Sequence, residues 1–486
     1  MKNKRLLSML LVISMLLPLA SCEKDKVTDI PKDTSADMQQ ISENNPEKTE
    51  TVSAWDQLVP IDYEGYDFHI LSYNSAGLTK WLDAEEENGE VLNDAIYYRN
   101  RAVEELYTVN IRMTAFDPDT TYSSMIAEVM ASSGEYDIAV QWAMYLIGAA
   151  SQGMLYNILD IPEMNTEAAW WNKDSVQNYQ LVPGKLYYAS NALYCNIIDA
   201  AFGLFFNKNL IESYSLENPY ELVNNGTWTM DKMYSMMETV AGNTDGLDTR
   251  SAGDMYGIAA GWGSGAAFYH AYGLKYGEID PKTNQMNVAF ANERAILASD
   301  WINKIFGDKN LTADPQYDTW AGESFTTGHT LFICSNIANT ASYRDVEDVS
   351  LGIVPVPKLD DSQERYYVNS GGRNNPLICL PADQTDASRT GNILEALTIY
   401  NHEKVTDVYI DVLLSSKYAQ DVETRDMIKL LIDNLTYDVG FITIPTLFDT
   451  WVAAAKDGKI ASAAKSIANA VQIEFEGYIE KIEALG

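Results

Sequence analysis

The sequence predicts an α/β protein with mostly parallel sheets, divided into two domains. Apolar runs at 68–72, 109–113 and 136–140 alternate with amphipathic helical patterns, which is typical of strands that lie parallel in one sheet. Residues 61–486 are too many to surround a single hydrophobic core. A further stretch, 184–210, is apolar, rich in β-branched and aromatic residues and poor in charge, which predicts a strand buried on both faces.

The first residues have the pattern of an export signal. Three basic residues precede an apolar run, 6–19, which is shorter than the roughly 20 residues that span a membrane and suits a signal peptide. The run ends in Leu-Ala-Ser-Cys at 19–22, which resembles the bacterial lipobox, where the signal is removed before an acylated cysteine. We therefore expect a lipoprotein signal peptide over 1–21 and a lipid, such as palmitate, on Cys22. The alternative is an ordinary secretory signal followed by a chance cysteine.

The segment 22–60 is polar and charged and has few large apolar residues, which predicts a disordered tether. The protein is then expected outside the cytoplasm, held to a bacterial cell membrane by lipid alone. At the other end, residues 387–484 carry apolar stripes at helical spacing and few strand signals.

The composition excludes some partners. The chain has a formal net charge of −35, and removal of 1–21, with three positive and no negative charges, gives −35 − 3 = −38. Such acidity disfavours nucleic acid and anionic lipid as partners. Three widely spaced cysteines remain in apolar contexts, which indicates small buried side chains rather than a disulfide framework or a metal motif.

No catalytic, metal or cofactor motif stands out. The four histidines are scattered, and neither HExxH nor GxSxG occurs. The acidic loop 243–248 has glycine at its fourth position, whereas an EF-hand needs it at the sixth. A glycosidase would need two carboxylates about 5–10 Å apart, and no pair is marked by the sequence. We therefore predict no catalytic residues, no metal and no cofactor.

Several short segments, each a weak signal alone, follow one another in a fixed order behind the lipobox-like start. They are 93–100, 136–140 with 153–155, Trp-Trp at 170–171, Gly-Lys-Leu-Tyr at 184–187, Leu-Phe-Phe-Asn-Lys at 204–208, 218–222, 226–231 and Leu-Gly-Ile-Val-Pro-Val-Pro-Lys at 351–358. In this order they resemble the family-1 extracellular solute-binding lipoproteins of ABC importers, which include carbohydrate-binding members. The resemblance covers nearly all of residues 61–486.

The resemblance implies a two-lobed, type II periplasmic-binding-protein-like fold. Each lobe would be a central, mostly parallel sheet flanked by helices, and the lobes would close on a solute in the cleft between them. We assign 61–194 plus 336–378 to the first lobe and 195–335 plus 379–486 to the second. The implied partners are a membrane permease and its ATPase subunits.

We expect the chain to cross between the lobes at 193–198, 330–335 and 375–381. Each crossing then has one cysteine at or near it, which suggests small residues packed in a shared hinge layer (Cys195, Cys334 and Cys379). A disulfide between two of these cysteines is left open.

Ligand-binding residues are expected in loops that follow strands and at the first crossing, since clefts of α/β proteins lie at the carboxyl ends of strands. Aromatic rings can stack on a sugar, amides and arginine can bind its hydroxyls, and the glycines before Arg373 allow close backbone approach. For each residue the alternative is ordinary packing or a polar turn. The candidates are Tyr73, Asn74, Gln141, Trp142, Asn191, Asn196, Trp262, Asn336, Arg373 and Asn374.

The function that the sequence predicts is a tethered, monomeric receptor that binds a sugar or oligosaccharide and delivers it to a permease. One alternative is a surface enzyme that degrades polysaccharides. Another is a binder of peptides or cationic solutes, for which the acidic charge would matter.

Overall fold

Two five-stranded sheets organise the part of the chain that the structure, a computed structural model, describes. The described residues are 52–74, 78–194, 196–339, 343, 349–414 and 422–485. The predicted signal peptide, Cys22 and most of the predicted tether lie outside them.

The first sheet is built mainly from the amino-terminal part of the chain. Its strands are β1 (Tyr66–Tyr73), β2 (Val109–Phe116), β3 (Ile138–Trp142), β4 (Tyr188–Ala189) and β13 (Pro376–Cys379). Their order is β2-β1-β3-β13-β4, and β1 runs parallel to β2 and β3, with Ile70 opposite Met113 and Ile138. β13 runs antiparallel to β3 and β4, so four of the five strands share one direction, as predicted.

In the second sheet, too, four strands share one direction and the fifth is reversed. Its strands are β5 (Phe202–Asn207), β6 (Tyr256–Ala259), β9 (Thr312–Ala313), β10 (Thr330–Asn336) and β11 (Leu351–Val354). Their order is β11-β5-β10-β6-β9, and only β5 runs against its neighbours. The central strands are almost wholly buried, which explains their uninterrupted apolar sequences. Two-stranded sheets join β7 (Gly277–Ile279) to β8 (Met286–Val288), and β12 (Val368–Asn369) to β14 (Leu435–Thr436).

The chain passes between the two sheets at one of the three predicted crossings and does not do so at the other two. The chain leaves the first sheet after β4 and enters the second at β5, so it crosses within 190–201, a segment that includes the predicted 193–198. The segment 330–335 is not a crossing, because it forms β10 inside the second sheet. The chain returns between β11 and β13, before the predicted 375–381. β11 lies in the range assigned to the first lobe, yet it pairs with β5 of the second sheet.

The described cysteines do not share the predicted hinge layer. Cys334 and Cys379 are free and buried, and they lie in β10 and β13 of separate sheets. The thiol of Cys379 lies 3.6 Å from the carbonyl oxygen of Ala139 on β3. These two residues therefore pack in two sheet cores rather than in one hinge layer, and Cys195 lies outside the described residues.

Helices cover the sheets, and the end of the chain is mainly helical, as predicted. None of the helices in the described part is long and apolar enough to cross a membrane. A π-helical turn, Asn401–Val405, joins the helix that ends at Tyr400 to the one that begins at Thr406. The helices are α1 (Val91–Tyr107), α2 (Pro118–Ala131), α3 (Ala143–Ser151), α4 (Lys173–Asn178), α5 (Asn196–Ala200), α6 (Lys208–Ser213), α7 (Pro219–Asn224), α8 (Met230–Val240), α9 (Gly265–Ala271), α10 (Glu293–Gly307), α11 (Ala321–Thr326), α12 (Ala387–Tyr400), α13 (Thr406–Leu414), α14 (Val422–Asp433), α15 (Val439–Thr443), α16 (Pro445–Asp457) and α17 (Ile460–Glu483).

The last residues of the predicted tether are ordered against this helical part. The backbone N–H of Ala54 donates to Glu403 Oε1 at 2.7 Å, and Trp55 packs edge-on against Tyr400 with ring centroids 4.9 Å apart. The prediction of disorder through residue 60 therefore fails here, because one aromatic ring and one carboxylate provide docking contacts that the polar composition does not reveal.

Candidate functional site

Several predicted residues meet at one edge of the first sheet, where β1 and β3 end and the reversed strand β13 begins. Tyr73 ends β1 and Trp142 ends β3, opposite Pro376 of β13. The backbone N–H of Ala143 donates to the carbonyl oxygen of Asn375 at 2.9 Å, which ties the start of α3 to the loop before β13. We call Tyr73, Asn74, Trp142, Tyr145, Arg373 and Asn374 the strand-edge site.

A row of aromatic rings forms one side of this site. Tyr73 packs edge-on against Trp142 with ring centroids 5.8 Å apart. Trp142 is nearly parallel to Tyr145, at 6.3 Å and 6°, and Tyr145 is stacked on Tyr122 at 5.0 Å and 20°. Neither tyrosine was predicted from the sequence, although the spacing of three between Trp142 and Tyr145 at the start of a helix could have indicated a shared face.

The phenols of Tyr73 and Tyr145 are neutral hydrogen-bonding groups at neutral pH. Burial raises the pKa of Tyr73 to about 12, although the neighbouring side chains of Tyr194 and Trp142 act in the opposite direction. The hydrogen bond from Tyr145 to Asp119, together with burial, raises the pKa of Tyr145 to about 12. These two phenols therefore provide rings and neutral hydroxyl groups, and the carboxylate of Asp119 lies beside the hydroxyl of Tyr145.

The segment that crosses between the sheets lies next to this site. Residues from both sheets contact it. Asn336, at the end of β10, donates through Nδ2 to the carbonyl oxygen of Ala200 in α5 at 2.6 Å. A Cβ atom on Gly371, in the loop before β13, would lie 2.8 Å from the Cβ of the same Ala200. Asn336 and the Arg373 loop therefore converge on one residue of the crossing. Asn196 also lies on α5, but its side chain is outside the described part.

Two of the predicted candidates have structural roles instead. Gln141 is 0% exposed; its Nε2 donates to the carbonyl oxygen of Pro118 at 3.0 Å, and its Oε1 accepts from the backbone N–H of Trp142 at 2.6 Å. Its amide thus supports the strand end and leaves no group for a ligand. Trp262 is 9% exposed and packs against Phe306 and Trp451, at 5.8 and 6.0 Å between centroids, so it belongs to a helical core.

A cavity of about 750 Å³ is lined in part by Tyr194 and other residues near the first crossing, and we call it the crossing cavity. Among the predicted residues, Asn191 lines it; the side chain is 4% exposed, Oδ1 accepts from the backbone N–H of Leu193, and Nδ2 is without a partner. The other lining residues are Ala169, Trp170, Trp171, Asn172, Lys173, Asp174, Gln177, Ser190, Ala192, Tyr194, Ile198, Arg365, His402, Thr406, Asp407, Ile410, Lys429, Ile432, Asp433 and Leu435.

The two tryptophans of the crossing cavity are held by a buried carboxylate. Glu395 is buried and accepts from the indole N–H of Trp170 at 2.5 Å and from that of Trp171 at 3.0 Å. Burial raises the pKa of Glu395, while these hydrogen bonds lower it. Near the surface, Lys429 Nζ lies 3.3 Å from Asp407 Oδ1. The two indoles are therefore held as part of the wall.

Comparison with known proteins relates the fold to a group of solved structures. No protein-family model matches the sequence, and no curated protein sequence matches it. The cyclic α-maltosyl-1,6-maltose binding protein from Arthrobacter globiformis is 12% identical with a TM-score of 0.56, over 85% of this chain and 99% of that one. The galacto-N-biose-/lacto-N-biose I-binding protein of the ABC transporter from Bifidobacterium longum is 13% identical with a TM-score of 0.53, over 86% and 98%.

A third structure agrees with these two. The maltose-binding periplasmic protein from Listeria monocytogenes is 14% identical with a TM-score of 0.52, and covers 86% of this chain and 97% of its own length. At such low identity the likeness establishes the fold alone. The chain therefore has the two-lobed, periplasmic-binding-protein-like α/β fold that these sugar-binding proteins share.

Proposed function

We propose that this chain is an extracytoplasmic receptor that binds a carbohydrate at the strand-edge site and delivers it to the permease of an ABC transporter. The observation that carries the proposal is that the Arg373 loop and Asn336 converge on Ala200, where the chain passes between the sheets, while the aromatic row lies at the strand edge to which that loop is joined. The fold supports it, since the three similar structures are of proteins named for the sugars that they bind.

The chemistry of the strand-edge site suits a sugar. A pyranose has an apolar C–H face that packs on an aromatic ring, and Trp142 and Tyr145 provide nearly parallel rings. The hydroxyl groups of the sugar need donors and acceptors around that face. The neutral phenol of Tyr73, the amides of Asn74 and Asn374 and the guanidinium of Arg373 provide them.

Closure of two lobes would bury such a ligand. We place the first sheet and its helices in one lobe and the second sheet, including β11, in the other. Segments 190–201 and 355–375 would be the hinge strands, since the chain passes between the sheets there. Hinge motion of this kind shifts a population between open and closed forms when ligand binds.

We further propose that the receptor acts as a monomer without enzymatic activity, anchored through a lipid on Cys22 and a tether that ends near residue 52. Its partners would then be the permease and ATPase subunits. Metabolic labelling of the expressed protein with a palmitate analogue tests the anchor, with Cys22→Ala as the control that should lose the label.

Calorimetry of the purified chain against a panel of oligosaccharides tests the binding function. We expect saturable binding of one sugar per chain, together with a smaller radius of gyration in X-ray scattering when that sugar is present. Trp142→Ala is the matched variant that should lose the heat signal. Absence of binding across the panel would contradict the proposal, and release of shorter sugars from a glycan would favour an enzyme.

A further inference from the structure

Arg373 differs from the other arginines that the structure describes, because its Nε is buried without a hydrogen-bond partner and no described carboxylate pairs with it. Arg365 is exposed and lies over the ring of Tyr367 at 4.5 Å. Arg250 and Arg389 also have an unpaired Nε, but their terminal nitrogens pair with carboxylates. The remaining arginines have carboxylate, amide or carbonyl partners: Arg99, Arg101, Arg112, Arg294 and Arg425.

The two helices that pack most closely against the Arg373 turn offer it no carboxylate. Its short turn, Gly372–Asn374, packs against α3 and α15, and neither helix contains a charged residue. A buried donor without a partner costs about 1–3 kcal/mol, and more when the group is charged. A guanidinium cannot lose its proton in a protein, so the buried Nε keeps that cost in the free chain, and the side chain is partly exposed, so that a ligand can reach it.

The position of this unpaired charge indicates which partner fits. The turn of Arg373 is joined to the beginning of the aromatic row, because Asn375 accepts from the backbone N–H of Ala143 and Pro376 lies opposite Trp142. A ligand at this edge would meet aromatic rings and a planar, positively charged fork together. Guanidinium forks bind carboxylates and phosphates with two parallel hydrogen bonds.

We propose that the strand-edge site takes an acidic sugar, whose ring packs on Trp142 and Tyr145 and whose anionic oxygens pair with Arg373. This inference rests on the proposed function and narrows its substrate class. The positive charge of Arg373 is opposite in sign to the net charge of the chain, −35, which repels anions at long range. An anionic ligand therefore needs such a local cation. A neutral sugar would leave the guanidinium uncompensated.

Matched pairs of sugars test the inference by calorimetry on the full mature chain. The carboxylate arm compares trigalacturonate with galactotriose and glucuronate with glucose, and the phosphate arm compares glucose 6-phosphate with glucose. We expect an acid in one arm to bind at least about tenfold more tightly than its neutral counterpart, and the arm in which this occurs identifies the anionic group.

Variants make the test specific for Arg373. Arg373→Gln should reduce the preference for the acid to less than about twofold, and Arg373→Lys, which keeps the charge but not the fork, should give an intermediate value. Arg365→Gln, which removes the same charge from an exposed arginine, should leave the preference unchanged. Melting curves verify that each variant folds.

The outcomes separate this inference from the proposed function. Neutral sugars that bind as tightly as their acids would overturn the inference and leave the receptor function in place. A preference that survives in Arg373→Gln would overturn the role of Arg373. Absence of binding by every sugar, acidic or neutral, would overturn the proposed function as well.

Discussion

The strand-edge site and the crossing cavity both contain tryptophan, tyrosine and asparagine, yet their polar groups are used differently. In the crossing cavity, Glu395 holds the indoles of Trp170 and Trp171, and Lys429 pairs with Asp407. At the strand-edge site the guanidinium of Arg373 is unpaired.

The volume of a cavity and its capacity to bind a ligand are separate properties in these two regions. The crossing cavity has about 750 Å³, a size that suits a ligand, but the two buried polar atoms of its lining that lack a partner, Asn191 Nδ2 and Tyr194 Oη, belong to neutral groups. A ligand gains affinity from groups that lack partners in the free protein, because pairing them removes a penalty. The strand-edge site is therefore the better candidate for recognition and the crossing cavity for structural support.

The largest expected effect follows from replacing one tryptophan in each region. Trp142→Ala should weaken binding of the preferred sugar by more than about 30-fold, since truncation of a central aromatic contact typically costs about 2 kcal/mol or more. Trp170→Ala should change the affinity by less than about threefold. Calorimetry on both variants measures the contrast, and the opposite pattern would move the ligand into the crossing cavity.

A second expected effect concerns the loop that joins the strand-edge site to the crossing. Gly371 has φ of +98°, and a Cβ there would lie 2.6 Å from Asn375 Oδ1 and 2.8 Å from Ala200 Cβ. Gly371→Ala should therefore lower the free energy of unfolding by about 2–3 kcal/mol and weaken sugar binding.

Gly458→Ala is the matched control for this change. Gly458 also has a positive φ, +65°, but a Cβ there would meet nothing within 4 Å. We expect a cost of about 1 kcal/mol from backbone strain alone and unchanged sugar affinity. Equal melting temperatures for the two variants would show that Gly371 is not in close contact with Ala200 of the crossing.

Much of the fold could be predicted because buried strands have a distinctive apolar pattern, and the first crossing was located on that ground. The same apolar pattern gave the wrong prediction of a crossing at 330–335, where the chain forms β10. A central strand and a buried crossing are equally apolar, and only strand pairing distinguishes them. The ordered residues Ala54 and Trp55 were missed because their partners, Glu403 and Tyr400, are remote in the sequence.

The candidate site was predictable in part for a similar reason. Tyr73, Trp142 and Arg373 follow from the rule that strand ends carry binding residues. Gln141 satisfied the same rule, but its amide is used by Pro118 and by the backbone of Trp142, which sequence spacing does not reveal. The crossing cavity could not be predicted, because its walls come from segments far apart in the chain, 169–194 and 402–435.

A smaller effect, in the crossing cavity, distinguishes structural support from recognition. Glu395→Gln should lower the free energy of unfolding by about 1 kcal/mol at pH 7, because the amide can accept one indole N–H but opposes the other with its own N–H. Sugar affinity should not change. A loss of affinity without a loss of stability would assign the cavity to the ligand.

The same variant gives a pH dependence of defined sign. Burial raises the pKa of Glu395 above the ordinary value of 4.5, so the folded chain binds this proton more tightly than the unfolded chain. Its contribution to stability is fully present below about pH 4.5 and is lost as the pH rises through the raised pKa. The difference in melting temperature between wild type and Glu395→Gln should therefore narrow with rising pH, and a difference that widens would contradict the assignment.

The smallest expected effect is at the rim of the crossing cavity. Lys429 and Asp407 form an ion pair of 3.3 Å, but their side chains are 45% and 66% exposed, and solvent screens such pairs so that each contributes less than about 1 kcal/mol. Lys429→Ala should shift the melting temperature by about 1 °C or less and leave sugar binding unchanged. A tenfold change in affinity would mean that this rim contacts the ligand, and the division between a recognising edge and a supporting cavity would then be wrong.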